Sequence, residues 1–367
     1  MRILLIANYL LDEQQSMLRF AEMLDAGLSR LGHEVRTIRP EPIVLKKLNF
    51  LPKSLHKWLA YIDKFLLFPR RLLKEAQWAD IVHICDHSNG MYTQSLPRAV
   101  VTCHDLLAVR GALGEETDCP ASYTGQILQR WILSGLQKAT LIICDSTYTL
   151  QDVHRLVGKQ VTAKVVLLGL NYTYHHHELP PPLETTVGLE NGTPYLLHVG
   201  SNLARKNKEG ILRIFAALKN RWNGKLVFAG PPLSANLVSM AKDLGIYEQI
   251  VEVVNPDNRL LEALYNNALA LLFPSRFEGF GWPPLEAQSC GCPVICSDCG
   301  PIPEVVADSA LVFSLHQEQE MAEAVLALRD PQTRQIWVKR GFANVKRFSV
   351  DRMIGEYEAF YTQSLGR

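Results

Sequence analysis

The chain has 367 residues, 47% of them hydrophobic, which is enough for two domains of ordinary size, each with its own core. Its formal net charge is +1, which excludes a strongly basic nucleic-acid binder and an acidic tail. The eight cysteines lie mostly in apolar runs, where a thiol behaves as a small hydrophobe, so a reduced, cytoplasmic compartment is expected.

Arg2 and the apolar run Ile3 to Leu11 have the outline of a signal peptide. Asp12 and Glu13 follow at once with no small-residue cleavage pattern, so the run reads as a buried first strand. No apolar run reaches the length of a membrane span. Met17, Phe20, Ala21, Leu24, Leu28 and Leu31 then recur at helical spacing, Gly32 ends the helix, and Glu34 to Ile38 is a second strand. This βαβ unit leaves the loop Asn8 to Ser16 at the carboxyl end of the first strand, where open α/β sheets bind ligands. The loop has no GxGxxG, which disfavours a dinucleotide site.

From Ile43 to Trp78 the character changes: Lys46, Lys47, Lys53, Lys57, Lys64, Arg70, Arg71 and Lys74 alternate with Leu, Phe, Trp and Tyr, against only Asp63 and Glu75. Residues 46–74 therefore fit peripheral contact with anionic lipid, and equally a solvated helical excursion packed on its own domain. The strand and helix alternation resumes with Ile81 to Cys85, Ala99 to Cys103, Leu141 to Cys144 and Lys164 to Leu168, with polar-tipped loops between them. His104 and Asp105 fall directly after one of these strands, where a histidine can contact a substrate hydroxyl or phosphate.

Asn171 to Pro194, with His175, His176, His177 and Pro180, Pro181, Pro182, reads as an interdomain linker. The consecutive histidines point in different directions and lack companion ligands, so no metal site is expected there. A second alternating series follows: strands at Tyr195 to Val199, Lys225 to Ala229, Ile250 to Val254, Ala268 to Phe273, Pro293 to Cys296 and Ala310 to Phe313, with helices between. Two Rossmann-like halves imply a cleft. Three helices are expected from Gln317 to the end.

Gly200, Ser201, Arg205, Lys206 and Asn207 follow the first strand of the second half and open a helix. A helix N-terminus beside two full positive charges suits a diphosphate. Glu278 and Glu286 bracket the turn FGWPP, with Pro283 expected at the first helical position and Glu286 in the first turn. An acid and nucleophile pair as in glycoside hydrolases is one reading. A carboxylate near a helix N-terminus tends to stay ionised, so accepting hydrogen bonds from sugar hydroxyls fits better. Cys290, Cys292, Cys296 and Cys299 match a zinc cluster in number, but the strand-like PVI between them favours buried thiols.

FPSRFEGFGWPPLEAQSCGCPVI, with seven residues between its glutamates, resembles the signature of retaining glycosyltransferases of family 4. HVGSNLARKN resembles that family's phosphate-binding turn, and VTCHDLLAVRG and CDSTYTLQDV resemble its first-half segments. The resemblance implies an α/β fold of GT-B architecture, two Rossmann-like domains whose parallel sheets face a central cleft. Its boundaries here would be an acceptor-side domain at 1–175, a linker at 176–193, a nucleotide-sugar domain at 194–349, and a last helix at about 350–367 returning to the first domain. It further implies transfer of a mannose- or glucose-type hexose from a nucleoside-diphosphate sugar to a saccharide or lipid-linked acceptor, with no metal and no other cofactor.

By the same resemblance, Arg205 and Lys206 neutralise the leaving diphosphate and Glu286 binds the donor ribose. Glu278, Gly279, Phe280 and Gly281 face the donor sugar, Gly200, Ser201, Asn207 and Leu285 complete the donor site, and His104 stands near the transferred sugar. The loop NYLLDEQQSM lacks the family's Gly-Gly pair, so no contacts are assigned to it. A nucleotide-sugar epimerase, a glycan phosphorylase and an inactive binding protein are the competing readings.

Overall fold

The structure, a computed structural model, describes residues 1–366 apart from 13, 97, 180–182, 184–188 and 190–191. Pro180, Pro181 and Pro182 of the expected linker thus lie outside the described residues. The chain forms two compact units, Met1–Asn171 with Val350–Arg367, and Tyr172–Ser349.

The first unit is a six-stranded parallel sheet of β1 (Arg2–Ile6), β2 (Glu34–Ile38), β3 (Ile81–Ile84), β4 (Ala99–Cys103), β5 (Leu141–Cys144) and β6 (Ala163–Val165), in the order β2-β1-β3-β4-β5-β6. AVVTC of β4 and LIIC of β5 are buried throughout, as unbroken apolar runs must be in a sheet covered on both faces. The strand order reverses between β1 and β3, so the loops leaving these two strands diverge to opposite sides and open a crevice at their carboxyl ends. The expected alternation of strands with helices is present: the connections hold a 3-10 stretch at His87–Ser95 and α-helices at Leu107–Ala112, Tyr123–Leu136 and Thr147–Leu156. Ser122 and Ser146 cap the last two by accepting from Gly125 N and Thr149 N.

The last helix, Val350–Leu365, packs into this first unit and buries Met353, Ile354, Tyr357 and Tyr361. It approaches the helix Gln15–Arg30 closely: a Cβ on Gly27 would sit 2.4 Å from Ile354 Cγ1. The Tyr361 hydroxyl stands 2.5 Å from Nδ1 of His83 on β3, and Thr102 on β4 takes Nε2 of the same ring at 2.8 Å and the Tyr357 hydroxyl at 3.0 Å. Burial pushes His83 down to about 3, so the ring is neutral and both nitrogens need partners of this kind.

The second unit is a six-stranded parallel sheet of β7 (Tyr195–Val199), β8 (Lys225–Gly230), β9 (Ile250–Val254), β10 (Ala270–Phe273), β11 (Val294–Ser297) and β12 (Leu311–Phe313). Its order is β12-β11-β10-β7-β8-β9, with the reversal between β7 and β10. Tyr172 to His177 belong to this unit: His175 N and His177 Nε2 each reach Glu262 at 2.9 Å, on the helix Asn258–Asn267.

Tyr361→Phe removes the hydroxyl on His83 Nδ1 and leaves a buried acceptor or donor unmet. Equilibrium urea unfolding is expected to show a loss of about 1–3 kcal/mol, with secondary structure retained.

Candidate active site

The carboxyl ends of β7 and β10 flank the reversal in the second sheet, and the basic turn leaves β7 there. Gly200 N donates to Ala229 O at 3.1 Å, and a Cβ on Gly230 would lie 2.5 Å from Gly200 O, so the two backbones approach this closely because Gly230 has no side chain. Ser201 follows, half-buried. Ala204–Lys206 makes one 3-10 turn, and Asn207, in the left-handed region at φ 52°, caps the helix Lys208–Ala217 by accepting from Gly210 N at 3.3 Å. The Asn207 amide also donates to Pro274 O at 3.0 Å, and Arg276 N donates to Arg205 O at 2.7 Å. These two bonds tie the loop after β7 to the loop after β10.

That tie brings Glu278 onto both cations. Lys206 Nζ donates to Glu278 Oε1 at 2.7 Å and Oε2 at 2.9 Å, and Arg205 Nη1 donates to Oε2 at 2.8 Å. Lys206 is 8% exposed and Glu278 5%. Burial favours the neutral form of each, yet the charges of Lys206 and Arg205 outweigh it at Glu278 and hold that carboxyl below its usual range. On Lys206 the balance falls the other way: burial, with Arg205 beside it, lowers the ammonium despite Glu278. A carboxylate held ionised between two cations cannot act as a general acid, which disposes of the hydrolase pair.

Under this turn lies His198, fully buried, its Nδ1 donating to Leu272 O at 3.0 Å. Burial pushes it down to about 3, and its Nε2 has no hydrogen-bond partner among the described residues. A Cβ on Gly200 would sit 3.1 Å from that nitrogen, so glycine leaves the ring its space. His198 was absent from the expected site, although it opens the HVGS motif.

The helix Trp282–Ser289 starts one residue before the expected Pro283, with Gly281 at φ 111° as its cap, so Glu286 stands fifth, just past the first turn. Glu286 is buried and accepts from the Tyr265 hydroxyl at 2.8 Å; Tyr265, fully buried on the helix Asn258–Asn267, is a second partner that no motif indicated. Gly279 is partly exposed beside Glu278. The side chains of Phe280 and Leu285 point inward, the former against Phe348 at 5.8 Å, so contacts from these two positions fall to the backbone.

Cys290, Cys292 and Cys296 are buried core residues, and among the described residues no three His, Cys, Asp or Glu are arranged to hold a metal ion. A surface cavity of about 310 Å³ lined by Thr193, Tyr195, Asn267, Leu269 and Arg334 lies at the amino ends of β7 and β10, opposite the basic turn.

In the first unit, residues following β1, β3, β4 and β5 converge. Asn8 donates to Asp86 Oδ2 at 2.5 Å across the reversal between β1 and β3, and also binds Gln14 Oε1. His104 is 3% exposed, with Nδ1 at 2.9 Å from Asp145 Oδ2 and Nε2 at 3.0 Å from Cys85 O. Both partners only accept, so both nitrogens donate and the ring is charged: burial opposes this, but the Asp145 carboxylate raises His104. Burial pushes Asp145 up to about 6 against the pull of His104, and the paired geometry favours the ion pair at neutral pH. His104, expected near the transferred sugar, thus has both ring nitrogens engaged within the first unit in the ligand-free protein.

The neighbouring ring is His87. Its Nδ1 lies 3.0 Å from Asp86 Oδ1, an ion pair by distance without hydrogen-bond alignment. Burial opposes its charge, but Asp86, with Asp105 and Asp145, raises it to about 9.

Two doubly wound parallel sheets, one with a basic turn at its topological switch point, are the fold of the GT-B glycosyltransferases. HepE of Anabaena, solved in complex with UDP and glucose, matches with a TM-score of 0.77 at 15% identity, covering 99% of this chain and 100% of that one. WaaG, a glycosyltransferase involved in lipopolysaccharide biosynthesis, matches at 0.73 and 17% identity with coverage of 99% and 100%. Residues 184–343 match the family model for glycosyl transferases group 1. O-antigen chain mannosyltransferase B of Escherichia coli is 30% identical over 302 residues, 77% of this chain and 75% of that protein. The chain belongs to the glycosyl transferases group 1 family, and it is a glycosyltransferase.

His87 has a folded value near 9 above an ordinary 6.5, so its contribution to stability is complete below pH 6.5 and is lost as pH rises towards 9. His87→Gln is expected to be less stable than the unmodified protein by on the order of 2 kcal/mol below that window, in chemical unfolding. The gap should close towards its upper end.

Proposed function

We propose that this glycosyltransferase is a retaining, metal-independent hexosyltransferase using a nucleoside-diphosphate sugar. The observation that carries the reading is the Arg205 and Lys206 pair, fixed by Glu278 at the carboxyl ends of β7 and β10 beside the N-terminus of the helix Lys208–Ala217. Breaking a glycosyl phosphate bond develops negative charge on the leaving diphosphate. Two preorganised cations and a helix N-terminus stabilise that charge as a metal ion does elsewhere. Glu278 neutralises the cations in the ligand-free protein; when the diphosphate arrives it takes over this role, and the carboxylate oxygens turn to donor-sugar hydroxyls. Glu286, oriented by Tyr265, accepts from the ribose hydroxyls. The backbones of Gly279, Phe280 and Gly281 and the turn Gly200 to Ser201 complete the donor site.

Retention follows from displacement on one face of the sugar. The bond from the anomeric carbon to phosphate oxygen breaks, the bond to the acceptor oxygen forms on the same side, and the acceptor's proton passes to the departing phosphate. In the first unit His87, held charged by Asp86, stands with His104 as a further side chain suited to meeting a ligand. The name of the Escherichia coli relative supports a nucleoside-diphosphate mannose such as GDP-mannose as the donor and a polysaccharide as the acceptor, and a second HepE structure, solved in complex with UDP-glucose, supports that nucleotide sugar instead. A saccharide or lipid-linked acceptor suits either. Eight free cysteines, six of them buried, fit a cytoplasmic, reducing compartment.

With each of these nucleotide sugars in turn, release of nucleoside diphosphate is expected with one of them. Glu286→Ala and Lys206→Ala should each abolish transfer while the circular dichroism of the fold is kept; undiminished turnover by either variant overturns the assignment. Conversion of the donor without acceptor would select an epimerase, and phosphate-dependent glycan cleavage a phosphorylase. Tyr265→Phe is expected to raise the donor KM by roughly tenfold, the worth of one hydrogen bond to a charged group, with kcat little changed; steady-state kinetics separates the two.

A further inference from the structure

Residues 53–76 form one helical run: the α-helix Lys53–Ile62, a π-helical turn Asp63–Leu67 and the α-helix Phe68–Ala76. Its inward face is Leu59, Asp63, Phe68 and Leu72, all buried. The steps along this face are four, five and four residues, and the wide π turn absorbs the five, so the buried stripe stays in line. Beside it runs a second apolar stripe, Leu55, Trp58, Ile62 and Leu66, at steps of three and four residues, and this one stays exposed: Trp58 by 54% and Leu66 by 60%.

The exposed stripe continues onto another helix. Rings of Trp58 and Tyr61 meet at 5.8 Å, Tyr61 and Phe65 at 5.2 Å, and Phe65 and Trp131 at 5.2 Å. Trp131 lies on the helix Tyr123–Leu136, which buries Ile132, Gly135 and Leu136 and leaves Tyr123, Ile127 and Trp131 exposed at steps of four. Two helices thus carry a second apolar face each, joined by an aromatic seam within the first unit.

Charge completes the surface. Lys46, Lys47, Lys53, Lys57, Arg70 and Lys74 have no ion pair among the described residues. The nearby acids are used elsewhere: Asp63 is buried and accepts from Val44 N and Leu45 N, Glu41 holds Arg71 at 2.5 Å, and Glu75 lies 3.6 Å from Arg36. Lys64 is drawn off to Asp12 at 2.5 Å. A nearly neutral chain therefore presents one apolar ridge with an unbalanced cationic rim.

We propose that this face docks on a lipid bilayer carrying anionic headgroups, with Trp58, Leu66 and Trp131 in the boundary between headgroups and acyl chains and the lysines and arginines against lipid phosphates. An in-plane amphipathic surface with aromatic and leucine side chains on one side and cations on the other matches that environment. A second copy of the chain does not fit, because it would bring one cationic rim against another. Among the described residues no helix is long and apolar enough to cross a membrane, so the contact is peripheral. Docking of this kind stands apart from sugar transfer, and either can fail without the other.

The test is co-sedimentation of the full chain with vesicles of phosphatidylcholine, alone or mixed with phosphatidylglycerol. Pelleting is expected with the mixed vesicles at low salt, and should disappear with phosphatidylcholine alone and at about 1 M salt, where screening acts over roughly 3 Å. Lys53→Glu with Lys57→Glu is expected to weaken binding by at least roughly fivefold for each positive charge removed, and Trp58→Ser with Trp131→Ser to lower it as far. None of the four positions lies in the proposed donor site, so donor turnover and the circular dichroism of the fold should stay unchanged, although loss of the tryptophan ring contacts lowers the thermal midpoint. Absence of pelleting at low salt overturns the proposal, as does pelleting indifferent to both double variants. A concentration-dependent dimer in vesicle-free solution, abolished by the tryptophan changes, would assign the ridge to self-association instead and also overturns it.

Discussion

The second unit depends on one buried electrostatic arrangement, the carboxylate of Glu278 between Lys206 and Arg205. Two charged groups taken out of water cost several kcal/mol each, and the attraction between them recovers this only when geometry is tight. Here it is: three donor contacts between 2.7 and 2.9 Å converge on two oxygens. The fold enforces them through Asn207, whose left-handed backbone lets one side chain cap a helix and its amide grip Pro274 O. The two cations are thus held in place by the folded chain itself, which is what the proposed diphosphate site requires.

Both sheets place their polar groups where strand order reverses, but the chemistry differs. The reversal between β7 and β10 gathers cations with a single counter-charge, suited to an anionic group. The reversal between β1 and β3 gathers Asp86 and Asn8, with His87, His104 and Asp145 from strand ends beside it, a set of donors and acceptors with its charges mostly matched. Such a set suits hydroxyl-bearing molecules better than phosphates.

Most of this architecture was readable from the chain. Unbroken apolar runs marked the parallel strands, and the basic turn and paired glutamates marked the candidate site because short motifs keep their residues close. What escaped reading depended on contacts between distant residues. Nothing around His104 in the sequence announces that Asp145 and the Cys85 carbonyl will claim both its nitrogens, and nothing around Glu286 points to Tyr265. His198 sat inside a recognised motif, yet its burial follows from Phe228 and Phe273 packing around it at 5.7 and 6.4 Å. The bounds of helices such as Tyr123–Leu136 were not legible, because apolar residues on two faces blur the helical period.

The placement of Val350–Leu365 also orders events in time. The second unit is continuous in the chain, from Tyr172 to Ser349, so a ribosome delivers all of it in one stretch. The first unit is not: its sheet is made early, but His83 and Thr102 wait for Tyr361 and Tyr357, and the groove beside Gly27 waits for Ile354. During synthesis the earlier-made half therefore finishes last, holding an open apolar slot through the translation of the intervening domain. The first unit is complete only when the helix Val350–Leu365 closes that slot.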